Sequence, residues 1–296
     1  MRVLITGASG FVGRAVSAEV VRRGRIVRGM VRRPPEGQGS EEWARGTVLS
    51  ADDLRAAMRD CDAVIHLVGI IGEVGDQTFE RVHHEGTLRV VEACLAAGVR
   101  RLIHMSALGT RPGAIARYHR SKWAAEQVVR ESGLRWTILR PSVIHGPGDG
   151  FVNLFVRMAR WSPVLPVIGR GTSLLQPIAV ESVAGAFARC LDSEAAIHQT
   201  YDLCGPERLT LAEILRTVLE VTGRRRALVH IPRGVAWWQA ALLEAVFPVL
   251  LGRAAPLSRD QILMLDEDNV GDPSAAERDL GLRVVPFREG LQRLLA

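Results

Sequence analysis

The chain opens with an apolar run, Arg2-Val3-Leu4-Ile5, that breaks at Gly7-Ala8-Ser9-Gly10-Phe11-Val12-Gly13 and resumes as the amphipathic stretch Arg14 to Arg23. No other feature of the sequence constrains the fold as tightly. A glycine at 7 permits a tight strand-to-helix turn, one at 10 lets a diphosphate reach the backbone, and one at 13 lets helix and strand pack closely. The helix start then offers main-chain N–H groups and the positive end of its dipole to an anion. A glycine turn can serve packing alone. Here it stands directly between the first strand and its helix, which predicts a dinucleotide-binding unit with Gly7, Ser9, Gly10, Phe11, Val12 and Gly13 around the phosphates.

Down to about residue 145, short apolar runs near 2–6, 25–31, 46–49, 62–68, 100–105 and 134–140 alternate with helical stretches such as 52–60 and 76–97. In the latter, Phe79, Val82, Val90, Val91, Cys94 and Leu95 supply a buried face and Gly98 a stop. This alternation predicts an α/β chain with a doubly wound parallel Rossmann sheet. Beyond it, Gly146-Pro147-Gly148-Asp149-Gly150, Pro163 and Pro166 change the texture. The expected organisation is a dinucleotide-binding core at 1–145, with returning segments at about 176–204. A smaller mixed α/β substrate-side lobe takes 146–175 and 205–296.

Composition excludes several classes. With 296 residues, 47% hydrophobic and 24% charged, the chain is long enough to bury a large core. Its net charge of +6 comes from arginines spread along the whole chain, with 5% aromatic residues, so no basic and aromatic stripe for nucleic acid is drawn. Cys61, Cys94, Cys190 and Cys204 lack ligand spacing and read as reduced thiols. His83 and His84 have no carboxylate at ligand spacing, so no metal is expected. A Gly-x-Ser-x-Gly elbow is absent, which disfavours serine-hydrolase chemistry. The start shows no secretory pattern, and the expected location is the cytoplasm. Residues 235–251 are the most apolar stretch but contain Gln239, Glu244 and Pro248, so no transmembrane helix is expected. They read as a helix packed on the lobe or, in a second reading, as an interfacial helix with Trp237 and Trp238 at a membrane or partner boundary. Arg224-Arg225-Arg226 reads as a solvated helix end.

Two clusters of scarce or charged residues carry the chemistry. The end of the second strand reads Met30-Val31-Arg32-Arg33-Pro34, with no carboxylate before Glu36. A carboxylate there would hold a ribose 2′-hydroxyl, whereas arginine forks onto a 2′-phosphate, so Arg32 and Arg33 favour NADP over NAD. The sole lysine, Lys122, follows one of only two tyrosines, Tyr118, by four residues. On a helix the pair shares one face, where an ammonium would stabilise the phenolate and lower a phenol pKa near 10.

The glycine turn, the Tyr118/Lys122 pair and Leu139-Arg140-Pro141-Ser142-Val143-Ile144-His145-Gly146-Pro147-Gly148-Asp149 together resemble the extended and atypical short-chain dehydrogenase/reductase superfamily. That group contains the sugar-nucleotide epimerases and dehydratases. More narrowly, His66-Leu67-Val68-Gly69-Ile70-Ile71-Gly72, His104-Met105-Ser106-Ala107-Leu108-Gly109, Leu257-Ser258-Arg259-Asp260-Gln261 and Asp268-Asn269-Val270 resemble bacterial relatives of the nucleotide-binding accessory subunit of respiratory complex I. The resemblance implies NADP(H) across the carboxyl ends of the strands, lined by Leu67, Val68 and Gly69, with Pro141 and Ser142 near the nicotinamide. It also implies departures. Ala107 stands where active members place a serine or threonine, and Ser106 comes one residue early; His83 replaces the family's structural asparagine; Thr47 replaces an acidic residue that meets adenine, Asp52 and Asp53 being better suited to start a helix.

Two readings follow. In the first the protein is an oxidoreductase that moves a hydride between nicotinamide and a carbonyl or alcohol carbon, with Tyr118 transferring the proton, Lys122 tuning it and Ser106 orienting the oxygen. In the second, bound NADP(H) completes the fold of a non-catalytic accessory protein that docks on a membrane-associated respiratory or quinone-synthesis assembly.

Overall fold

A computed structural model describes residues 1–34 and 42–295. Its centre is a seven-stranded, all-parallel sheet. The strands are β1 (Arg2–Thr6), β2 (Ile26–Val31), β3 (Glu42–Arg45), β4 (Ala63–His66), β5 (Arg101–Met105), β6 (Arg135–Pro141) and, after shorter pieces, β11 (Gln199–Leu203). Their spatial order, β11-β6-β5-β4-β1-β2-β3, reverses direction between β1 and β4. A parallel sheet that winds both ways from its middle leaves a crevice at this switch, outside the carboxyl ends of the strands.

Helices cover both faces. On one side α1 (Phe11–Arg22) and α6 (Val180–Cys190) bury Val16, Val20, Val183 and Phe187 against β1 and β11. On the other, α2 (Ala51–Met58), α3 (Gly86–Ala97) and α4 (Arg117–Glu131) bury Leu54, Met58, Val90, Cys94 and Val129. A π-helical turn, Glu80–Glu85, leads into α3, so the long helical stretch expected from residue 76 starts at 80 and is widened there. Gly98 caps α3 in the left-handed conformation, as expected.

The third strand corrects the sequence reading. It lies at 42–45, not 46–49, because Glu42 is drawn to the sheet edge by the guanidinium groups of Arg2 and Arg28, and Arg28 through Val31 take Glu42 through Arg45 as partners. Residues 47–50 form a turn instead, in which Thr47 N–H donates to the Asp53 carboxylate and Val48 drops into the core. Ser50 accepts from Asp53 N–H, so the Asp52-Asp53 pair does start a helix.

The rest of the chain adds β7 (Ile144–His145), α5 (Val152–Trp161), β8 (Val164–Ile168), β9 (Leu174–Leu175), β10 (Ile178–Ala179), β12 (Leu209–Thr210), α7 (Leu211–Val221) and β13 (Ala227–Ile231). Then come α8 (Arg233–Leu251), α9 (Arg259–Leu265), α10 (Ser274–Leu280) and α11 (Phe287–Leu295). β8 and β13 form a parallel two-stranded ribbon. Arg226, read as part of a solvated helix end, donates to the carbonyl of Ala159 and ties β13 to α5. All four cysteines are free thiols.

Candidate functional site

β1 ends at Thr6 and the backbone turns at Gly7, whose φ of +76° suits glycine and whose N–H donates to Met30 O at 3.2 Å. A Cβ on Gly13 would lie 2.1 Å from Gly7 O, so the first turn of α1 approaches the strand end as only glycine allows. Gly10 is the N-cap; no side chain caps the helix, and no acidic residue occupies its first turn. The positive end of α1 is therefore left for an anion. Around it, Ser9 is exposed, Phe11 half-buried and Val12 buried. Arg14, which the sequence reading passed over although it follows Gly13, donates from Nη1 to Ser9 O at 2.7 Å, and its Nη2 would stand 3.2 Å from a Cβ on Gly148. A cation thus bridges the cradle and the 146–150 turn.

Across the switch point, β4 runs into Leu67, Val68 and Gly69. Leu67 is buried, and Val68 Cγ2 would lie 3.3 Å from a Cβ on Gly7, so this loop walls the cradle. A Cβ on Gly69 would come within 3.1 Å of Lys122 Nζ and 3.5 Å of His83 Nε2. Glycine here keeps the backbone against both groups.

Tyr118 and Lys122 share the inner face of α4, as their spacing predicts. Two contacts fix the helix. Buried Glu126 accepts from Arg140 Nε and Nη2 at 2.8 and 2.6 Å and from Arg130 Nη2 at 2.7 Å, which locks α4 to β6. The Asp260 carboxylate, at the start of α9, accepts from the N–H groups of Arg117 and Tyr118 at 2.7 and 2.9 Å, capping a helix whose own N-cap, Ala116, cannot. Asp260 belongs to one of the strings that carry the family resemblance, but nothing local assigns it this partner. Lys122 is 2% exposed, and its Nζ donates to Met105 O at 3.0 Å. The Tyr118 ring is half-buried and stands edge-on to Phe79, His83 and His119, with centroids 5.9, 5.4 and 5.3 Å away.

Here the electrostatics depart from expectation. Burial holds the Lys122 ammonium down to about 8, with Glu126 opposing, and pushes the Tyr118 phenol up to about 12. The lysine was expected to lower the phenol. Instead its ammonium points to the end of β5, and desolvation governs both groups.

His83 carries a defined proton. Its Nε2 accepts from Ile70 N–H at 3.0 Å, so Nδ1 carries the hydrogen and donates to Ser121 Oγ at 2.8 Å, which in turn donates to Tyr118 O. Burial, and next the Lys122 charge, hold His83 down to about 2, so it is neutral. A second chain lies behind it: Thr6 Oγ1 donates to His66 Nδ1, His66 Nε2 to Thr87 Oγ1, and Thr87 Oγ1 to His83 O. His84, read as having no carboxylate partner, pairs through Nδ1 with Glu80 Oε1 at 2.6 Å, one turn earlier.

The remaining predicted residues are spread around this centre. Ser106 is buried just past β5, and its Oγ donates to Thr110 Oγ1 at 3.4 Å; among the described hydrogen bonds none joins it to Tyr118. Ala107, one residue on, accepts through its carbonyl from Thr110 N–H. Pro141 ends β6 and is buried. The Ser142 hydroxyl donates to Asn269 Oδ1 at 2.6 Å, while Asn269 Nδ2 donates to Leu108 O, so Ser142 anchors the C-terminal lobe to the β5 loop. Arg32 and Arg33 are exposed just beyond β2, beside the strand whose Met30 carbonyl holds Gly7. Glu36 lies outside the described residues. The glycine cradle, the buried lysine and the flanking arginines fit a bound pyridine dinucleotide.

The NAD(P)H-binding family profile matches residues 7–194. The ceramide reductase of Caulobacter vibrioides (strain NA1000 / CB15N) is 32% identical over 248 residues, covering 82% of this chain and 77% of that protein. NADH dehydrogenase (ubiquinone) 1 alpha subcomplex subunit 9, mitochondrial, of Arabidopsis thaliana is 28% identical over 282 residues, covering 90% of this chain and 68% of that protein. The UDP-glucose 4-epimerase of Thermus thermophilus, solved in complex with NAD, superposes with a TM-score of 0.76 at 22% identity over 100% of this chain and 98% of that one, and so shares the fold.

Proposed function

Because this chain belongs to the NAD(P)H-binding Rossmann family, we propose that it is an NADP(H)-dependent oxidoreductase that reduces a carbonyl group, with Tyr118 as the proton donor. One observation carries the reading. The chain's only lysine is buried with its ammonium at the ends of β4 and β5, beside Gly69, on the helix face that also holds Tyr118. When bound, the nicotinamide supplies a hydride to the carbonyl carbon. The Tyr118 hydroxyl gives its proton to the oxygen as the carbon–oxygen double bond becomes single, and the product is an alcohol. A phenol pushed up to about 12 stays protonated through the neutral range, which suits a donor in reduction. Lys122 keeps a cation against the ribose and nicotinamide side, and Ser106 orients the substrate oxygen. Arg32 and Arg33 hold the 2′-phosphate and select NADP. The similarity to a protein named a reductase agrees with this direction. The location we infer is the cytoplasm.

The second reading, a non-catalytic nucleotide-binding accessory protein of a respiratory or quinone-synthesis assembly, is favoured by two observations. Alanine occupies 107, and the Ser106 hydroxyl is turned to Thr110. The mitochondrial NADH dehydrogenase subunit among the relatives points the same way.

The test has two arms. Purified protein should bind NADPH more tightly than NADH, and replacing both Arg32 and Arg33 by alanine should remove the difference; equal affinities in the parent sink the NADP assignment. Against a panel of carbonyl compounds, Tyr118→Phe should abolish NADPH oxidation while leaving NADPH bound. Unchanged turnover removes Tyr118 from the reaction, and no turnover of any carbonyl by the parent supports the accessory reading.

A further inference from the structure

Among the described residues one helix is long and apolar enough to cross a membrane by length and composition, and it is α8. The fold does not bury it. Only Ala236 and Ala240 are fully covered, seated on Ile262 with Ile168 and Ile231 at their margin. Trp238, Leu242 and Val249 stand on the outward side at 77, 64 and 82% exposure, and Val235, Leu250 and Leu251 are exposed with them. Trp238, Leu242 and Val249 recur at helical spacing, so they form a stripe opposite the packed alanines. The stripe continues onto the ribbon. Side chains alternate along a strand, so Val164 and Val229 share the face of Ile168 and Ile231, on which α8 rests, and both are exposed.

What covers such a face is decided by the charge around it. Residues 224–260 hold six arginines, at 224, 225, 226, 233, 253 and 259, against two carboxylates, Glu244 and Asp260. Glu244 is taken by Arg259, and Asp260 caps α4. Arg225 lies before the helix and Arg253 just after it, both exposed. Arg233, the first residue of α8, pairs with Asp266, so the charge left without a carboxylate among the described ion pairs is that of Arg224, Arg225, Arg226 and Arg253, and it is positive. A second copy laid on it would add like charge to this excess, whereas an anionic lipid headgroup layer complements it and accepts the apolar side chains. Tryptophan at the edge of such a stripe suits the headgroup level.

We propose that the outward face of α8, with the exposed face of the β8–β13 ribbon, is a docking surface for an anionic lipid bilayer, on which the helix lies in the interfacial plane. Spanning is opposed by its inner face, which packs on Ile262, and by the Glu244–Arg259 ion pair that ties it to α9. Docking also sets the mouth of the nucleotide site near the membrane. Ala254, just past α8, packs on Gly72 of the loop that follows β4, and Asp260 of α9 holds the helix start that carries Tyr118.

The experiment is co-sedimentation of the full chain with vesicles of phosphatidylcholine alone and of phosphatidylcholine mixed in equal parts with phosphatidylglycerol. The protein should pellet with the mixed vesicles and remain largely in solution with the neutral ones. Replacing Trp238 and Leu242 together by glutamate should lower the bound fraction by at least about tenfold. Its melting temperature should stay at the parent value, because both side chains are exposed. Three results overturn the proposal: equal partitioning onto neutral and anionic vesicles, a double variant that pellets like the parent, or a parent dimer in sedimentation equilibrium that the double variant dissociates.

Discussion

Lys122 sets the electrostatic balance of the site. An ammonium that is almost fully buried and donates to one carbonyl is held down to about 8 from an ordinary value of 10.5. The unfolded chain therefore binds more protons than the folded one between pH 8 and 10.5, so the stability of the nucleotide-free protein should rise with pH across that window. The full penalty, about 3 kcal/mol, is present below it. Lys122→Met removes the penalty at similar volume. At pH 7 the variant should melt a few degrees above the parent, the gap should close toward pH 10, and NADPH affinity should fall at least about tenfold through loss of the cation. Melting curves at the two pH values check this, and a variant no more stable than the parent at pH 7 contradicts it. The Tyr118/Lys122 pair was legible in the sequence because each residue type is so scarce that four-residue spacing between them carries information. The direction of their pKa shifts was not legible. Spacing places two groups on one face, but whether attraction or desolvation wins depends on the carbonyl of Met105 and the depth of the pocket, which come from other segments.

At the level of elements, the site depends on where α4 begins and how it is turned. Its rotation is fixed by Glu126 between Arg130 and Arg140, and its start by the Asp260 carboxylate from α9, which accepts the first two main-chain N–H groups. Negative charge at a helix start is favourable, and the cap holds the main-chain N–H of the phenol-bearing residue itself. Asp260→Ala should destabilise the protein by about 1–2 kcal/mol. On the proposed mechanism it should also lower kcat for carbonyl reduction more than it raises KM, since Tyr118 loses its fixed position. Asp260→Asn, which keeps an acceptor, should recover most of both. If alanine and asparagine variants lose turnover equally while melting like the parent, the capping role fails. Strands β1, β2, β5 and β6 were visible as short apolar runs, because each buries its own pattern. β3 was misplaced because Glu42 and Arg45, polar residues held by Arg2 and by pairing with β2, form the edge strand while the more apolar 46–49 make the turn. The role of Asp260 was invisible for a related reason: a cap supplied from 142 residues away leaves no local signal.

For the molecule as a whole, the sheet and the C-terminal segments share their interior. The cluster around β1 and α1 takes in Phe187 of α6, Leu203 of β11, and Ala276 and Leu280 of α10. Between them the Tyr201 hydroxyl donates to Asp279 at 3.0 Å and Ser142 donates to Asn269. Each joins a part of the sheet to a segment far along the chain, so neither half can open without exposing buried polar groups and apolar area of the other. A chain knit together in this way is expected to unfold as one unit. Heating should give a single transition by far-ultraviolet circular dichroism and by tryptophan fluorescence, the latter sampling Trp43, Trp123 and Trp136 at the sheet and its helices and Trp161, Trp237 and Trp238 beyond them. Because NADPH binds only the folded chain, saturating it about a hundredfold above its dissociation constant should add about 2.7 kcal/mol. With an unfolding entropy near 2 cal/mol/K per residue, that shifts the whole transition upward by roughly 4 °C in both signals. Two separate transitions, of which NADPH moves only the first or only the second, would mean that the lobe folds independently and that these bridging contacts do not couple it to the nucleotide site.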